Sequence, residues 1–372
     1  MSTQTLNADD YKALEVLYDS TGGDNWTNNT GWTDWDFSSE TPPDAGVVDQ
    51  WHGVTVEGLR VTGIDLGSNS LSGTLPSELG SLGSLQHLQI NKNFLSGTLP
   101  SELGELSNLE TLYLNDNDLS GTLPSELGEL SNLQTLRVAK NSLSGTLPSW
   151  LGSLSNLQHI HLNDNDLSGT LPSELGELSN LQKLRLYKNE LTGTLPSELG
   201  ELSNLQILGV AKNDLDGTLP SELGELSSLK FLYLYKNDLS GTLPSELNSF
   251  SKLQHLWLYD NSLSGTIPES INSVPNKRLE NPPYVKTPIS DVDATSGENF
   301  SLNVSGNFGD INNNITSYSA EGLPKGLTID SNSGTIGGTP TTEGISIVTV
   351  TASDAKGGEV EDEFYIAVSP PF

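Results

Sequence analysis

Cysteine is absent from all 372 residues, so disulfides, zinc–thiolate centres and cysteine nucleophiles are excluded. Bases are scarce: 17 Lys and Arg stand against 48 Asp and Glu, and the formal charge of −31 disfavours nucleic acid or an anionic membrane as partner. No apolar run approaches the roughly 18 residues that direct membrane insertion needs. The opening MSTQTLNADDYKALEVLYDS lacks the basic and apolar stretches of a signal peptide. Neither a phosphate-binding glycine loop nor H-E-x-x-H nor a Ser-His-Asp arrangement occurs, so no enzymatic activity is expected.

What is present is a period. Asn69, Asn93, Asn117, Asn141, Asn165, Asn189, Asn213, Asn237 and Asn261 follow one another at intervals of 24 residues. Around each runs L-x-x-L-x-L-x-x-N-x-L-S-G-T-L-P-S-E-L-G-x-L-S-x, the regularity of a stacked solenoid. In LETLYL, Leu112 and Leu114 alternate with Thr111 and Tyr113, the period of two of a strand with one buried face. Stacking such strands makes a parallel sheet over a leucine core. The repeating Asn falls where the chain leaves the strand and can bond the backbone groups that the bend exposes. L-S-G-T-L predicts a second short strand with Ser and Thr outward, and S-E-L-G-E-L a helical turn on the opposite side.

These motifs resemble leucine-rich repeats of the plant-specific type, whose added L-x-G-x-I/L-P strand is present in every coil. DYKALEVLYDSTGGDNWTNNTGW and WHGVTVEGLRVTGIDLGSN resemble that family's N-terminal cap, in wording closer to microbial members. Plant caps carry C-x-W-x-G-V-x-C; here the cysteine positions are Asp49 and Val56, so packing around Trp51 must hold the cap. The resemblance implies an α/β-type solenoid with parallel β on its concave face, a second short strand, and helical turns on its convex side. Its expected boundaries are a cap over 1–60, nine repeats over 61–272, and a Pro/Asn-rich linker over 273–283. The helix after the last repeat is expected to be the sole C-terminal cap.

Beyond 283 the leucine period stops, and FSLNV, SIVTVTA and EFYIAV alternate between Gly-, Asn- and Pro-rich turns, as in an antiparallel sandwich. SAEGLPKGLTIDSNSGTIGGTPTTEG, VTVTASDAKGG and FYIAV resemble the dystroglycan-type cadherin-like (Ig-fold) modules of large adhesins, over 284–372. Such modules occur in tandem. The NPPY at 281–284 and the closing SPPF therefore imply a piece of a longer multidomain chain, extracellular or on a cell surface. The resemblance also implies a Ca²⁺ loop of D-x-[DN]-x-[DN] type at Asp310, Asn312 and Asn314, completed by Asp354.

Side chains that vary inside the fixed frame are the candidates for recognition. On the concave sheet these include Tyr113, Arg137, His159, His161, Arg185, Tyr187, Phe231, Tyr233, Tyr235, His255, Trp257 and Tyr259. Four of the five histidines and eight of the seventeen bases fall on this face, whereas the glutamates recur behind it. Such a two-sided solenoid suits a protein, peptide or glycan ligand, because Tyr, Trp and Arg dominate interface hot spots. His159 and His161 share a strand face, but Arg137 and Arg185 beside them repel a cation, so they read as contact residues with a possible sensitivity to mild acid. A second reading comes from Thr98, Thr122, Thr146, Thr170 and Thr194, a regular hydroxyl row of the kind found on ice-binding proteins.

Overall fold

The computed structural model describes residues 4–371 apart from 38, 40, 312, 313 and 356. The helix Ala8–Ser20 begins at Asn7, whose side chain accepts the Asp9 and Asp10 amides. Its buried Asp10 pairs with Arg60 at 2.8 Å and accepts the Val61 amide, tying the helix to the first parallel strand. Trp26, Trp32, Trp51 and Tyr18 pack together beneath it, Trp32 and Trp51 with centroids 5.0 Å apart. At the two positions where a plant cap has cysteine, the Asp49 carboxylate accepts the Val56 amide at 2.9 Å. A hydrogen bond thus joins the two positions from which the cysteines are missing.

The concave surface is an 11-stranded sheet. It starts with the hairpin of Val54–Glu57 and Arg60–Asp65, and continues in parallel through His87–Gln89, Thr111–Tyr113 and their successors to Asn276–Arg278. A 7-stranded sheet runs along the neighbouring face from Ser72–Thr74 to Asp214–Leu215, and a 2-stranded one follows it. The break comes where Asp216 replaces the usual serine. Among the described residues eight coils close with a five-residue 3-10 turn, such as Ser101–Glu105, led in by a proline, and the last ends in the helix Glu269–Asn272. The glycine of that turn lies against the next coil: a Cβ on Gly104 would collide with the Glu126 carbonyl.

The asparagine ladder is continuous. Asn165 accepts the Leu143 amide at 3.0 Å and donates to the carbonyls of Leu162 (3.0 Å) and Val138 (3.1 Å). It therefore joins adjacent coils while closing its own bend. A convex ladder supports it, with Asn132 donating to Ser107 and Asn156 to Ser131.

At the C-terminal end the structure departs from the sequence expectations. The segment 273–283 is not a free linker: Asn276–Arg278 is the last strand of the concave sheet, and Leu279 is buried beneath it. Asn281 extends the ladder by accepting the Asn261 amide at 3.0 Å. Nor is the helix Glu269–Asn272 the sole cap, because Ile311 of the following module is buried in the solenoid's core cluster. That module has its own core around Val304, Ile336, Val348, Phe364 and Ile366. It carries a 4-stranded and a 3-stranded sheet, and it is not wholly antiparallel, since Val292–Thr295 runs parallel to Glu359–Ser369.

Candidate functional site

Strand register places the concave side chains in rows. One row runs Tyr113, Arg137, His161, Arg185, Gly209, Tyr233, Trp257 and Arg278. Neighbours along a row are separated by one strand spacing, about 4.8 Å, so their side chains must pack on one another. All twelve concave candidates are half-buried for this reason.

The candidates form two groups. Toward the C-terminal end the rings make a continuous ladder. Centroids lie 4.9 Å apart for Phe231–His255 and for Tyr233–Trp257, and Tyr235 stacks on Tyr259 at 4.6 Å with an 11° interplanar angle. Arg278 ends the ladder, its guanidinium 4.3 Å from the Tyr259 centroid and 5.9 Å from that of Trp257. Burial raises the phenol pKa values of Tyr233, Tyr235 and Tyr259, so all three stay neutral hydrogen-bonding groups at physiological pH. Arg278 lies outside the 24-residue register, because its coil is shorter; the Leu279 and Asn281 of RLEN are the signal that marks it.

The second group is cationic. Arg137 lies over the Tyr113 ring at 4.6 Å, and His161 is held between Arg137 and Arg185 in register. Burial, then Arg185 and Arg137, depress the His161 pKa to about 3, and His159 is lowered by burial, then Lys183 and Arg137. His161 is therefore neutral through mild acid, which removes the simple acid sensitivity expected of it. Tyr187 follows Arg185 on the same coil. On the strand exits Lys140 pairs with Asp116 at 3.0 Å and Lys188 with Asp164 at 2.6 Å.

On the second strand face Thr98, Thr122, Thr146, Thr170 and Thr194 are all exposed. Each methyl faces the glycine of the next coil, 2.7 to 2.9 Å from where a Cβ on that glycine would stand, so the row shares one orientation. The adjoining serines are tied along the stack: Ser120, Ser144 and Ser168 donate to glycine carbonyls of the preceding coil at 3.4 to 3.5 Å.

For the calcium loop, Asn312 lies outside the described residues. Asp310, Asn314 and Asp354 are half-buried, and the Asp354 carboxylate accepts the Gly358 amide at 2.8 Å. Among the described residues no group of three or more His, Cys, Asp or Glu is disposed to hold a metal ion. Among them, too, no helix is long and apolar enough to cross a membrane.

Comparison with known proteins agrees with this anatomy. Residues 55–193 match the model "Leucine-rich repeat region", residues 228–250 and 252–274 match "Leucine Rich Repeat", and residues 282–369 match "Putative Ig domain". The chain thus carries leucine-rich repeats followed by an Ig-like domain. It is similar to the Arabidopsis receptor kinase HAESA solved in complex with the peptide hormone IDA and the co-receptor SERK1, at 37% identity and TM-score 0.54 over 59% of this chain and 37% of that one. It is also similar to a plant ice-binding protein, at 26% identity and TM-score 0.57 over 75% of this chain and 96% of that one. A 60-residue stretch is 40% identical to a serine-rich adhesin for platelets of Staphylococcus aureus, covering 16% of this chain and 4% of the adhesin. The chain therefore spans only a small part of the adhesin and well under half of the receptor ectodomain.

Proposed function

We propose that the concave sheet is a recognition surface for a protein, peptide or glycan outside the cell, and that the chain is an adhesion module and not an enzyme. The observation that carries this reading is the ring ladder from Phe231 to Tyr259, ended by Arg278. Rings locked against one another lose little freedom when a ligand arrives, so contact energy is not spent on ordering them. Similarity to a receptor solved with a peptide hormone and to a stretch of an adhesin supports the same class of ligand. The Ig-like module would act as spacer and end cap, stiffened by calcium at Asp310, Asn314 and Asp354. The source is a microbial surface protein longer than this chain. A combined peptide and glycan array, probed with the full chain with and without calcium, tests the reading. Saturable binding to one ligand class supports it, and silence across both sinks it.

The shared orientation of the threonine row, together with similarity to a plant ice-binding protein, favours a second reading. An exposed hydroxyl-and-methyl lattice at about 4.8 Å intervals can order water into a regular sheet. Thermal hysteresis that is lost in Thr146→Tyr would establish it; no hysteresis and no recrystallisation inhibition in the parent chain removes it.

A further inference from the structure

The cationic group on the concave sheet is unusual for this chain. With 48 acidic residues available, Arg137 and Arg185 still lack a carboxylate within ion-pair distance among the described residues. The nearest acids are already engaged, Asp116 by Lys140 and Asn115, and Asp164 by Lys188 and Asn163. Arg137 Nε, His161 Nε2 and His159 Nδ1 are buried without a hydrogen-bond partner. Buried polar atoms are almost always bonded, so three unmet ones on neighbouring side chains point to something from outside the chain.

The space for it is there. A cleft of about 160 Å³ opens between Asn115, Asp116, Arg137, Lys140, His161 and Arg185, with Ala139 also in its lining. The planar fork of a guanidinium fits two oxygens of one anion. A cation would meet two arginines and a lysine against one carboxylate, Asp116, which Lys140 already pairs.

We propose that this cleft is a binding site for one oxyanion, the carboxylate or the sulfate or phosphate ester of a larger ligand, gripped between Arg137 and Arg185. The site deepens the recognition-surface reading, on which its biological meaning rests, by adding an acidic group to the ligand. His161 then serves as a neutral hydrogen-bonding partner between the two forks. The charged and titratable groups that face it are Arg137, Arg185, His159 and Lys183. The Asp116–Lys140 ion pair also lines the cleft.

The test is a titration of the full chain with sodium sulfate, phosphate and acetate, against sodium chloride at matched ionic strength, following the His161 ring signals by NMR. Saturable shifts with sulfate or phosphate alone assign the site to an ester anion, and saturation with acetate as well assigns it to a carboxylate. Either supports the proposal if Arg185→Gln weakens the binding roughly ten- to a hundred-fold, the range expected for one charge-assisted hydrogen bond. Arg185→Lys keeps the charge without the fork and should fall between the two; its melting curve guards against misfolding. Shifts equal to those in chloride, or unaltered in Arg185→Gln, overturn the site. Because the probes are inorganic ions and acetate, failure here with array binding intact leaves the ring ladder standing, and the reverse outcome leaves only the anion cleft.

Discussion

Replacing Asn165 with alanine removes one acceptor and two donors from the middle of the ladder. The Leu143 amide then loses its acceptor, while the Val138 and Leu162 carbonyls each keep one ladder bond, from Asn141 and Asn189. Asn165 is only 7% exposed, so water cannot readily replace it. The stranded amide costs on the order of 1–3 kcal/mol and each lost carbonyl bond about 0.5–1.5 kcal/mol, so the sum is roughly 2–6 kcal/mol. In a stacked solenoid the loss falls on the interface between two coils, because each repeat touches only its neighbours. The assay is urea unfolding followed by circular dichroism, with hydrogen exchange resolved along the chain. The expected result is a lower midpoint, with the fastest exchange in coils 138–165. Asn165→Asp should be as damaging at neutral pH, since it keeps the acceptor but turns a carboxylate toward two carbonyls. A loss below about 1 kcal/mol, or exchange unchanged around residue 165, would refute the ladder as a source of stability.

Other outcomes follow from the same geometry. Asp49→Ala removes the bond to the Val56 amide and should cost about 1 kcal/mol, read as a lower midpoint for the cap tryptophan fluorescence. For His161, whose folded pKa of about 3 lies below the ordinary 6.5, the unfolded chain takes up the proton first as pH falls. Its contribution is complete above pH 6.5 and is lost progressively toward pH 3, amounting to as much as about 2 kcal/mol by pH 5. His161→Gln should flatten that part of the stability–pH curve, and an unchanged slope would count against the burial argument. Millimolar calcium should raise the melting temperature of the full chain, and less so in Asp310→Ala; identical curves with and without the ion remove the calcium loop.

The solenoid was readable in the sequence because its rules are local and repeated. Asn69 through Asn261 name every bend, and alternation such as Leu112–Tyr113–Leu114 names every strand. The face that holds the candidate site follows directly from that alternation. What the period hides is whatever breaks it. Arg278 and Asn281 complete the sheet and the ladder from a coil three or four residues short, so they read as linker. Ile311 closes the core from a different module, a contact that no local pattern encodes. The role of Asp49 was equally hidden, since a hydrogen bond across seven residues leaves no spacing signature. At His161 the residue type suggested titration near neutrality. Burial and two flanking guanidiniums, set by stacking and not by local sequence, decide otherwise.

The central claim is that the ring ladder is a binding surface and not only packing. The most direct measurement is isothermal titration of the array-identified ligand against the parent chain, Trp257→Ala and Tyr235→Ala, alongside their melting curves. If the account holds, either substitution weakens binding by a factor of roughly 30 or more, the mark of a hot spot, while cooperative melting is kept. Unaltered affinity in both variants would contradict it.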